Sequence, residues 1–453
     1  MVTFGSWWAL FIAFGWTNSL GVFQAYYEET LLQSYSSSTV SWISSTQIFM
    51  MYGGGIILGK VFDQYGPRWL LIIGGFAHVF GLMMTSISHE YYQIFLAQAI
   101  CSGCGASALY YACVGSLAGW WRARRATAFG IAASGASLGG VIFPIMVDHL
   151  INRVGFGWTM RAVAFLILGG LVIVILTVKS RLPHGTNTKP MHIKQYIHPF
   201  KERTFTPLVI SLSLFSFGLF LPFNYLIAQA QTIGMSTSLA NYLVAILNAA
   251  SVFGRLIPGL VADKLGRFNV MAVATVVSGI LPFALWLPAR GNIPDIFFAV
   301  LFGFFSGAYV SLTPALIAQV SPISEIGIRT GSLYFCVSIA VLTGSPIAGA
   351  LVSVDDGKYG YLEIFAGATM CVGAGSTVCS IRSVCPICPI CPIFPIFTVF
   401  PILPIFTVFT VFPILPILPI LPILPILPIL PIFPILPFFI HRVGAHLNSG
   451  CNQ

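Results

Sequence analysis

Residues 248–267 read NAASVFGRLIPGLVADKLGR, an apolar helical stretch that contains a permanent cation, Arg255, and ends in a short polar turn. Arg255 stands eight residues before Asp263, which at about 1.5 Å per helical residue is roughly 12 Å along the helix axis. If the turn marks a membrane surface, Arg255 lies near the middle of a hydrocarbon layer about 30 Å thick. A guanidinium there costs several kcal/mol unless water, a carbonyl or an anion meets it. Arg255 is therefore a candidate for substrate contact; the alternative is that it bonds helix-end carbonyls or a distant acid and only holds helices together.

The composition is that of a protein embedded in lipid. Of 453 residues, 57% are hydrophobic and 7% are charged, with a mean hydropathy of +0.91, whereas soluble domains are about 25% charged. The net charge of +9 does not indicate nucleic-acid binding, because the cations are scattered through short loops instead of gathered on one face. The apolar run from Trp7 lacks a basic leader and a small-residue cleavage site, so we expect no signal peptide there and a first helix that stays in the mature protein.

Apolar runs of about 18 to 25 residues predict an all-α polytopic membrane protein with twelve transmembrane helices in two six-helix bundles. The runs begin near Trp7, Trp42, Trp69, Ile94, Ala126 and Arg161, and, after a longer polar connection, near Pro207, Tyr242, Val270, Ile296, Ile328 and Tyr361. We therefore expect an N-terminal bundle (1–178), a cytoplasmic linker (179–206), a C-terminal bundle (207–382) and a Pro-rich tail (383–453).

The lysines and arginines predict the orientation. The connections after the even-numbered spans and the end of span twelve carry fifteen of them: Lys60, Arg68, Arg122, Arg124, Arg125, Lys179, Arg181, Lys189, Lys194, Lys201, Arg203, Lys264, Arg267, Arg329 and Arg382. The opposite side carries four: Arg153, Arg161, Arg290 and Lys358. By the positive-inside rule the first side faces the cytoplasm, together with both ends of the helical body. The basic linker is either a solvated loop or a segment that touches anionic lipid.

The two halves carry one short pattern at matching places. Its members are Gly59, Asp63, Gly66 and Arg68 after span two, and Gly259, Asp263, Gly266 and Arg267 after span eight. Glycine permits a tight turn and close helix approach, and aspartate can cap the next helix or pair with an arginine. The pattern indicates an internal duplication, as in rocking transporters, and predicts a latch on the cytoplasmic side. The basic turn with Arg124 and Arg125 is explained by orientation alone, or it also pairs with Asp63.

These paired loops resemble the signature loop of the major facilitator superfamily. Three further passages are similar to the monocarboxylate transporter family, especially its fungal permease branch: GWTNSLGVF (15–23), WWRARRATAFGIAASG (120–135) and SPISEIGIRTG (321–331). The resemblance covers about 4–381 and implies alternating-access transport of small monocarboxylates or other organic molecules, often coupled to protons. It also implies a lysine in the first span and an aspartate one turn before the arginine of the eighth, where this chain has Asn18 and Ser251. Facilitated diffusion, or coupling through another group, therefore stands beside proton symport as an expectation.

Polar side chains deep within the spans are candidates to surround Arg255. The predicted substrate site comprises Arg255, Asn18, Ser251, Asn248, Asn224 and Tyr309, with Tyr110, Tyr111, Tyr225 and Ser338 as further donors. A bond to a neighbouring helix explains each one alone equally well. As a set they suit a carboxylate with a polar or aromatic body.

The sequence shows no catalytic, metal-binding or nucleotide-binding pattern. Cys101 and Cys104 have redox or metal spacing, but they fall in a membrane helix without a nearby histidine, where packing explains them. The chain lacks a phosphate-binding glycine loop with its lysine, and its acids and histidines are not spaced for a hydrolase. We expect neither an enzyme nor a bound cofactor, metal or ATP.

The tail beyond Arg382 has a different composition. Proline recurs there mostly at every third residue up to Pro437, a spacing that excludes a helix because each proline removes a backbone donor. We expect a disordered segment or a gene-model artefact, with a recognition tail as the alternative.

Together these observations predict a secondary transporter of small organic anions, monocarboxylates first, which works by alternating access. Its partners would be the substrate, the lipid bilayer and, in the coupled case, a co-transported proton. The alternatives are a facilitator or exporter of a neutral vitamin-like or secondary-metabolite solute, and a non-transporting membrane sensor with the same fold. We expect a multi-pass protein of the plasma membrane, with a vacuolar or other internal membrane as the alternative.

Overall fold

The computed structural model describes residues 1–181, 193–289, 291–355 and 357–384. Within these ranges the chain is helical and contains no strand. The middle of the predicted linker (182–192), Arg290 and the Pro-rich tail from residue 385 lie outside the described residues.

The N-terminal half contains six helices. α1 runs over Val2–Asn18 and continues after Ser19 as Leu20–Tyr26, and α2 runs over Ser37–Gly53 and continues after Gly54 as Gly55–Tyr65. The other four are α3 (Pro67–Thr85), α4 (Tyr91–Trp120), α5 (Arg125–Val154) and α6 (Phe156–Thr177).

The C-terminal half contains six more helices, preceded by a short helix at Ile193–Ile197 and a 3₁₀ turn at His198–Lys201. They are α7 (Phe205–Thr232), α8 (Thr237–Leu265), α9 (Arg267–Trp286), α10 (Asn292–Val320), α11 (Ile323–Val354) and α12 (Gly360–Val384). Every helix begins within five residues of its predicted start, the difference between Trp7 and Val2 being one of the largest. The predicted all-α polytopic fold is confirmed.

Lipid is the environment that suits the outer surface of these helices. In the described part of the chain, nine helices are long and apolar enough to cross a membrane by length and composition. The other three are α1, α2 and α12. α1 and α2 are interrupted at Ser19 and Gly54, as α7 is at Phe220. Large apolar side chains such as Phe76 and Leu176 are exposed on the surface, an arrangement that is costly in water and ordinary in a bilayer.

Two helix pairs join the halves: α2 packs along α11, and α5 packs along α8. The backbones approach closely, since a Cβ atom at Gly59 would stand 2.1 Å from the carbonyl oxygen of Gly327. One at Gly130 would stand 2.4 Å from the carbonyl oxygen of Arg255. Small residues thus permit both contacts, as in other membrane helix pairs.

The paired loops have the same backbone geometry in the two halves. α2 ends at Gly66 with φ 76°, and α8 ends at Gly266 with φ 94°. Only glycine adopts such angles without strain, and the next helix begins directly after each of them. We call the end of the molecule that carries these two turns the basic end, and the opposite end the outer end.

Candidate functional site

Arg255 lies on α8 beside a central cavity between the two halves. Its side chain is 7% exposed, and Nη1 donates to the carbonyl oxygen of Ala133 on α5 at 2.6 Å. Its Nε–H is buried and has no acceptor among the described residues. A guanidinium has five N–H donors, so a large part of its hydrogen-bonding capacity faces the cavity or is unused.

Aromatic side chains from both halves form most of the cavity wall. Tyr52 on α2 and Tyr334 on α11 stack with ring centroids 5.4 Å apart, and Tyr110 meets Tyr334 edge-on at 5.5 Å. Tyr309 on α10 bonds the Ser216 hydroxyl at 3.0 Å and stacks on a phenylalanine behind it. Of the described residues that line the cavity, none is acidic. The cavity therefore presents one cation and several phenols within an apolar wall.

The cavity is narrow in this conformation. The space open to the centres of water molecules is about 40 Å³, which is enough for a few waters. An organic substrate would need the lining rings or the two halves to move apart. The structure thus shows the candidate site in a nearly closed form.

Two residues of the predicted substrate site, Arg255 and Tyr309, line this cavity. Asn248, two turns from Arg255 on α8, donates to the carbonyl oxygens of Val244 at 3.1 Å and Gly140 at 3.5 Å. Asn18 donates to the carbonyl oxygen of Phe14 at 2.8 Å, and its amide also lies beside Gly140.

Ser251 lies between these asparagines and Arg255 in the same contact. It accepts a hydrogen bond from Ser137 on α5 at 3.1 Å. With the asparagines it forms a polar layer in the contact between α1, α5 and α8, next to the cavity rather than in its lining.

Asn224 lies away from the cavity. It is exposed and donates to the Ser345 hydroxyl at 3.0 Å, while Tyr225 beside it donates to the Ser345 carbonyl at 3.1 Å. Both bonds join α7 to α11 within the C-terminal half. They correspond to the alternative given above for each polar residue, a hydrogen bond to a neighbouring helix. Tyr111 likewise bonds the carbonyl of Tyr52 at 2.6 Å.

Four polar residues that line the cavity are not among the predicted site residues: Tyr52, Ser216, Thr313 and Tyr334. One signal for the two tyrosines was present. Tyr52 directly precedes the glycines 53–55, and Tyr334 follows Gly331 by three residues, so each lies beside glycines of the contact between α2 and α11.

At the basic end, Asp63 of α2 binds the first turn of α11 in the other half. Its carboxylate accepts the backbone N–H groups of Gly327 and Ile328, each at 2.9 Å. The first N–H groups of a helix have no partner within the helix and favour an anion.

Asp263 of α8 makes the reciprocal contact with α5. Its carboxylate accepts the N–H groups of Ala126 at 3.1 Å and Thr127 at 2.8 Å, and also the Thr127 hydroxyl at 2.8 Å. Arg267 forms an ion pair with it at 3.1 Å and donates to the carbonyl of Arg122 at 3.0 Å. We call the contacts of Asp63 and Asp263 the basic-end latch.

The remaining predicted latch cations, Arg68, Arg124 and Arg125, differ in their exposure to solvent. Arg68 and Arg124 are exposed. Arg125 is buried and donates to the carbonyls of Ala318 on α10 at 2.6 Å and Trp121 at 2.8 Å. The helix start directly after Arg124 and Arg125 binds Asp263, on α8 of the other half.

The described end of the linker also joins the halves. Lys60 on α2 donates to the Gln195 side chain at 3.0 Å, and Arg329 on α11 binds the Glu202 carboxylate through two hydrogen bonds of 2.6 and 2.5 Å. The hydrogen-bonded guanidinium of Arg329 holds the pKa of Glu202 below its ordinary value.

The family is established by comparison with known sequences. The sequence profile described as "Major Facilitator Superfamily" matches residues 1–292 and 209–375. The chain belongs to the major facilitator superfamily. It is therefore a multi-pass membrane protein of a transporter family, and the predicted fold of twelve transmembrane helices in two six-helix bundles is that of the superfamily. Membership of the monocarboxylate transporter family within it stays a prediction.

Fungal superfamily proteins are among its relatives. The chain is 52% identical over 373 residues to the MFS-type transporter 1 of Ophiocordyceps sp., which covers 82% of this chain and 83% of that protein. It is 44% identical to the fujikurins efflux protein of Gibberella fujikuroi, over 83% of this chain and 80% of that protein.

Solved structures show the same fold. The human organic anion transporter MFSD10 superposes with a TM-score of 0.67 at 13% identity, covering 83% of this chain and 98% of that one. The E. coli fucose:proton symporter superposes with a TM-score of 0.66 at 15% identity, covering 84% and 98%.

Proposed function

We propose that this superfamily member exports an acidic organic metabolite by alternating access, with Arg255 as the contact for its anionic group. Relatives named for efflux of fujikurins, aspyridones and agnestins support export as the direction. A small monocarboxylate is the narrower candidate, which rests on the resemblance of the sequence to monocarboxylate transporters.

The observation that carries the proposal is the state of Arg255. This guanidinium is buried, its described hydrogen bond goes to a neutral carbonyl, and no acid lines the cavity among the described residues. A cation in such surroundings gains most from a partner of opposite charge. An anionic group that enters the cavity would supply that partner, and the tyrosines would pack against an aromatic or apolar body.

The proposed orientation places the basic end in the cytoplasm, by the positive-inside rule. The basic-end latch is made in this structure, with Asp63 and Asp263 each bound to a helix of the other half. Loading from the cytoplasm would require both contacts to break, and release on the outer side would follow when they form again. Three of the other predicted site residues, Asn18, Ser251 and Asn248, would form a polar layer between α1, α5 and α8 whose hydrogen bonds change during this movement.

Flux measurements with an Arg255→Gln variant test the proposal. Purified protein in liposomes would be assayed with labelled p-aminohippurate, an aromatic carboxylate, and with its neutral amide, at two values of external pH. We expect carboxylate flux to fall roughly tenfold or more, the size of a lost charge-assisted contact, with little change for the amide. Arg153→Gln, which removes an exposed arginine outside the predicted site and latch, serves as the control. Equal carboxylate flux in the two variants would refute the role of Arg255.

A neutral metabolite is the second candidate, favoured by the aromatic character of the cavity wall. It predicts flux of the amide that is independent of pH, salt and Arg255. A membrane sensor would instead bind the probe without any flux, so binding measured beside transport separates the sensor from both transport functions.

A further inference from the structure

A buried acid lies at the outer end, far from the cavity. Asp295, in the first turn of α10, is fully buried, and among the described residues neither of its carboxylate oxygens has a hydrogen-bond donor. The ion pairs found in the described part of the chain involve other acids. A charged carboxylate in such a place costs several kcal/mol.

A second buried acid lies near the first. Glu363, in the first turn of α12, is 4% exposed and close enough to Asp295 for their charges to interact. Asp355, at the end of α11, is the second charged group that acts on Glu363, and it is also acidic. A charge on Asp295 or Asp355 therefore increases the cost of ionising Glu363, while for Asp295 burial alone makes the charge costly.

An unpaired donor adjoins the same region. The end of α9 packs against the first turns of α10 and contacts α12, and the Trp286 ring on it stacks on Phe298, one turn from Asp295, at 5.1 Å. The Nε1–H of Trp286 is fully buried and has no acceptor among the described residues. Buried polar groups are rarely left without partners, so orphan groups on neighbouring elements mark a place for a ligand.

We propose that Asp295 and Glu363 form a proton-binding site at the outer end of the C-terminal half. The step is a transfer of one proton from water to a carboxylate oxygen, which converts a costly buried anion into a neutral acid. A metal ion is a poorer occupant, because Ca²⁺ takes six to eight oxygen ligands. No group of three or more metal-ligating side chains occurs in the part of the chain that the structure describes.

This site would couple proton movement to transport, a step that rests on the proposed function. Asp295 and the cavity residue Tyr309 lie on the same helix, fourteen residues apart, which is about 21 Å of continuous α10. Asn18 and Ser251 do not titrate near neutral pH. The carboxyl pair would supply a proton site that the cavity itself lacks, exposed to the outer medium in one conformation of the helix.

Infrared difference spectroscopy tests the site without any substrate. Spectra of the purified full-length protein in nanodiscs would be recorded across a pH titration, for the wild type, Asp295→Asn, Glu363→Gln and Asp148→Asn. We expect a carbonyl-stretch band of a protonated carboxyl group that disappears on alkalinisation, is absent in Asp295→Asn and is shifted in Glu363→Gln. Asp148, an exposed acid near the outer end of α5, is the matched control, and its variant should keep the band.

Three outcomes would overturn the proton site: no such band in the wild type, an identical band in Asp295→Asn, or loss of the band on adding Na⁺ at constant pH, which would indicate a cation site. Size-exclusion profiles verify that each variant is folded. If Asp295→Asn does not fold, Asp295→Glu takes its place: this variant keeps a carboxyl group and should show the band at a shifted frequency.

A second measurement tests coupling. Liposomes containing a pH-sensitive dye and p-aminohippurate should show proton movement during transport by the wild type, and Asp295→Asn should lose it while p-aminohippurate exchange continues. Proton movement that persists in Asp295→Asn contradicts the coupling. If the infrared band behaves as expected but Arg255→Gln transports normally, the proposed substrate contact fails while the proton site stands.

Discussion

Gly59 shows how little space separates the two halves. A methyl group there would lie 2.1 Å from the carbonyl oxygen of Gly327, and one at Gly331 would lie 2.0 Å from that of Gly55. Backbone oxygens cannot move aside as side chains do, so α2 and α11 would have to separate by more than a small adjustment.

We therefore expect Gly59→Ala to weaken closure of the basic end while the individual helices remain folded. Water-soluble maleimide should label Thr330→Cys, a buried position on α11, slowly in the wild-type background and several-fold faster in Gly59→Ala. The control is Gly169→Ala, because a methyl group at Gly169 would have no neighbouring atom within 4 Å. Equal labelling rates in the two glycine variants would contradict the prediction.

At this scale the sequence predicted part of the cavity. Arg255 could be recognised because a permanent cation in an apolar helix is costly unless a carbonyl, water or an anion binds it. Asn224 could not be assigned in this way, because an amide within a membrane span can also bond a neighbouring helix of the same half. The structure shows such a bond from Asn224 to Ser345. Tyr52 and Tyr334 meet only when α2 and α11 are packed together, and no local pattern in the sequence specifies that pairing.

At the scale of elements, the basic-end latch joins helix ends of opposite halves. Asp63 binds the start of α11, and Asp263 binds the start of α5. Each carboxylate satisfies two N–H groups that have no partner within their own helix and lies at the positive end of the helix dipole. In both duplicated loops, an aspartate carboxylate therefore stabilises closure by binding the N-terminus of a helix in the other half.

Asp63→Asn should shift the protein towards a conformation that is open at the basic end. Hydrogen bonds to a charged group contribute about 1.5 to 3 kcal/mol, and the amide removes the charge at nearly constant shape. Spin labels at Tyr65→Cys and Ile323→Cys, both exposed, would report the separation of α2 and α11 by pulsed dipolar spectroscopy. We expect a longer distance component in Asp63→Asn.

Lys264→Gln is the control for this experiment, because Lys264 is an exposed side chain at the same end of the molecule. It should leave the distance distribution unchanged. If Asp63→Asn also left the distribution unchanged, the aspartate contact would not contribute to closure.

The helices themselves could be predicted from the sequence, because about twenty apolar residues are needed to cross a bilayer. The breaks at Ser19 and Gly54 could not. Apolar periodicity continues through both positions, and the helix resumes one residue later.

At the scale of the whole molecule, the linker contributes to the closed basic end. Its described part contacts α2 through Gln195 and α11 through Glu202. These two contacts give the segment a defined position against both halves, which neither linker composition nor the positive-inside rule predicts.

The pH dependence of stability tests the Glu202 contact. Arg329 holds the pKa of the Glu202 carboxyl below its ordinary value of 4.5, so the ionised form is favoured in the folded protein. The resulting stability is fully present above the ordinary pKa and is lost as the pH falls through the lowered pKa. The difference in melting temperature between wild type and Glu202→Gln should therefore be constant near neutral pH and vanish at acid pH.

Glu29→Gln, which changes an exposed acid, should show no comparable difference at any pH. A gap between wild type and Glu202→Gln that persists unchanged under acid conditions would mean that the ionised carboxylate is not what stabilises this contact.

Which helices of the two halves pack together could not be predicted from the sequence. Orientation and span number depend on composition that can be counted along the chain. The choice of α2 with α11 and α5 with α8 depends on shapes that are complementary only after both halves have formed, as the close approach of Gly130 to the carbonyl of Arg255 illustrates.

Asp63 and Asp263 each accept hydrogen bonds from two main-chain amides of the opposite half. Every amino acid except proline offers the same N–H. The side chains at Ala126 and Ile328 can therefore change without removing the N–H that binds each aspartate. Thr127 and Gly327 are more restricted, because the Thr127 hydroxyl also donates to Asp263 and a Cβ at Gly327 would stand 2.1 Å from the carbonyl oxygen of Gly59. Among homologous chains we expect the two acids to stay constant while positions 126 and 328 vary.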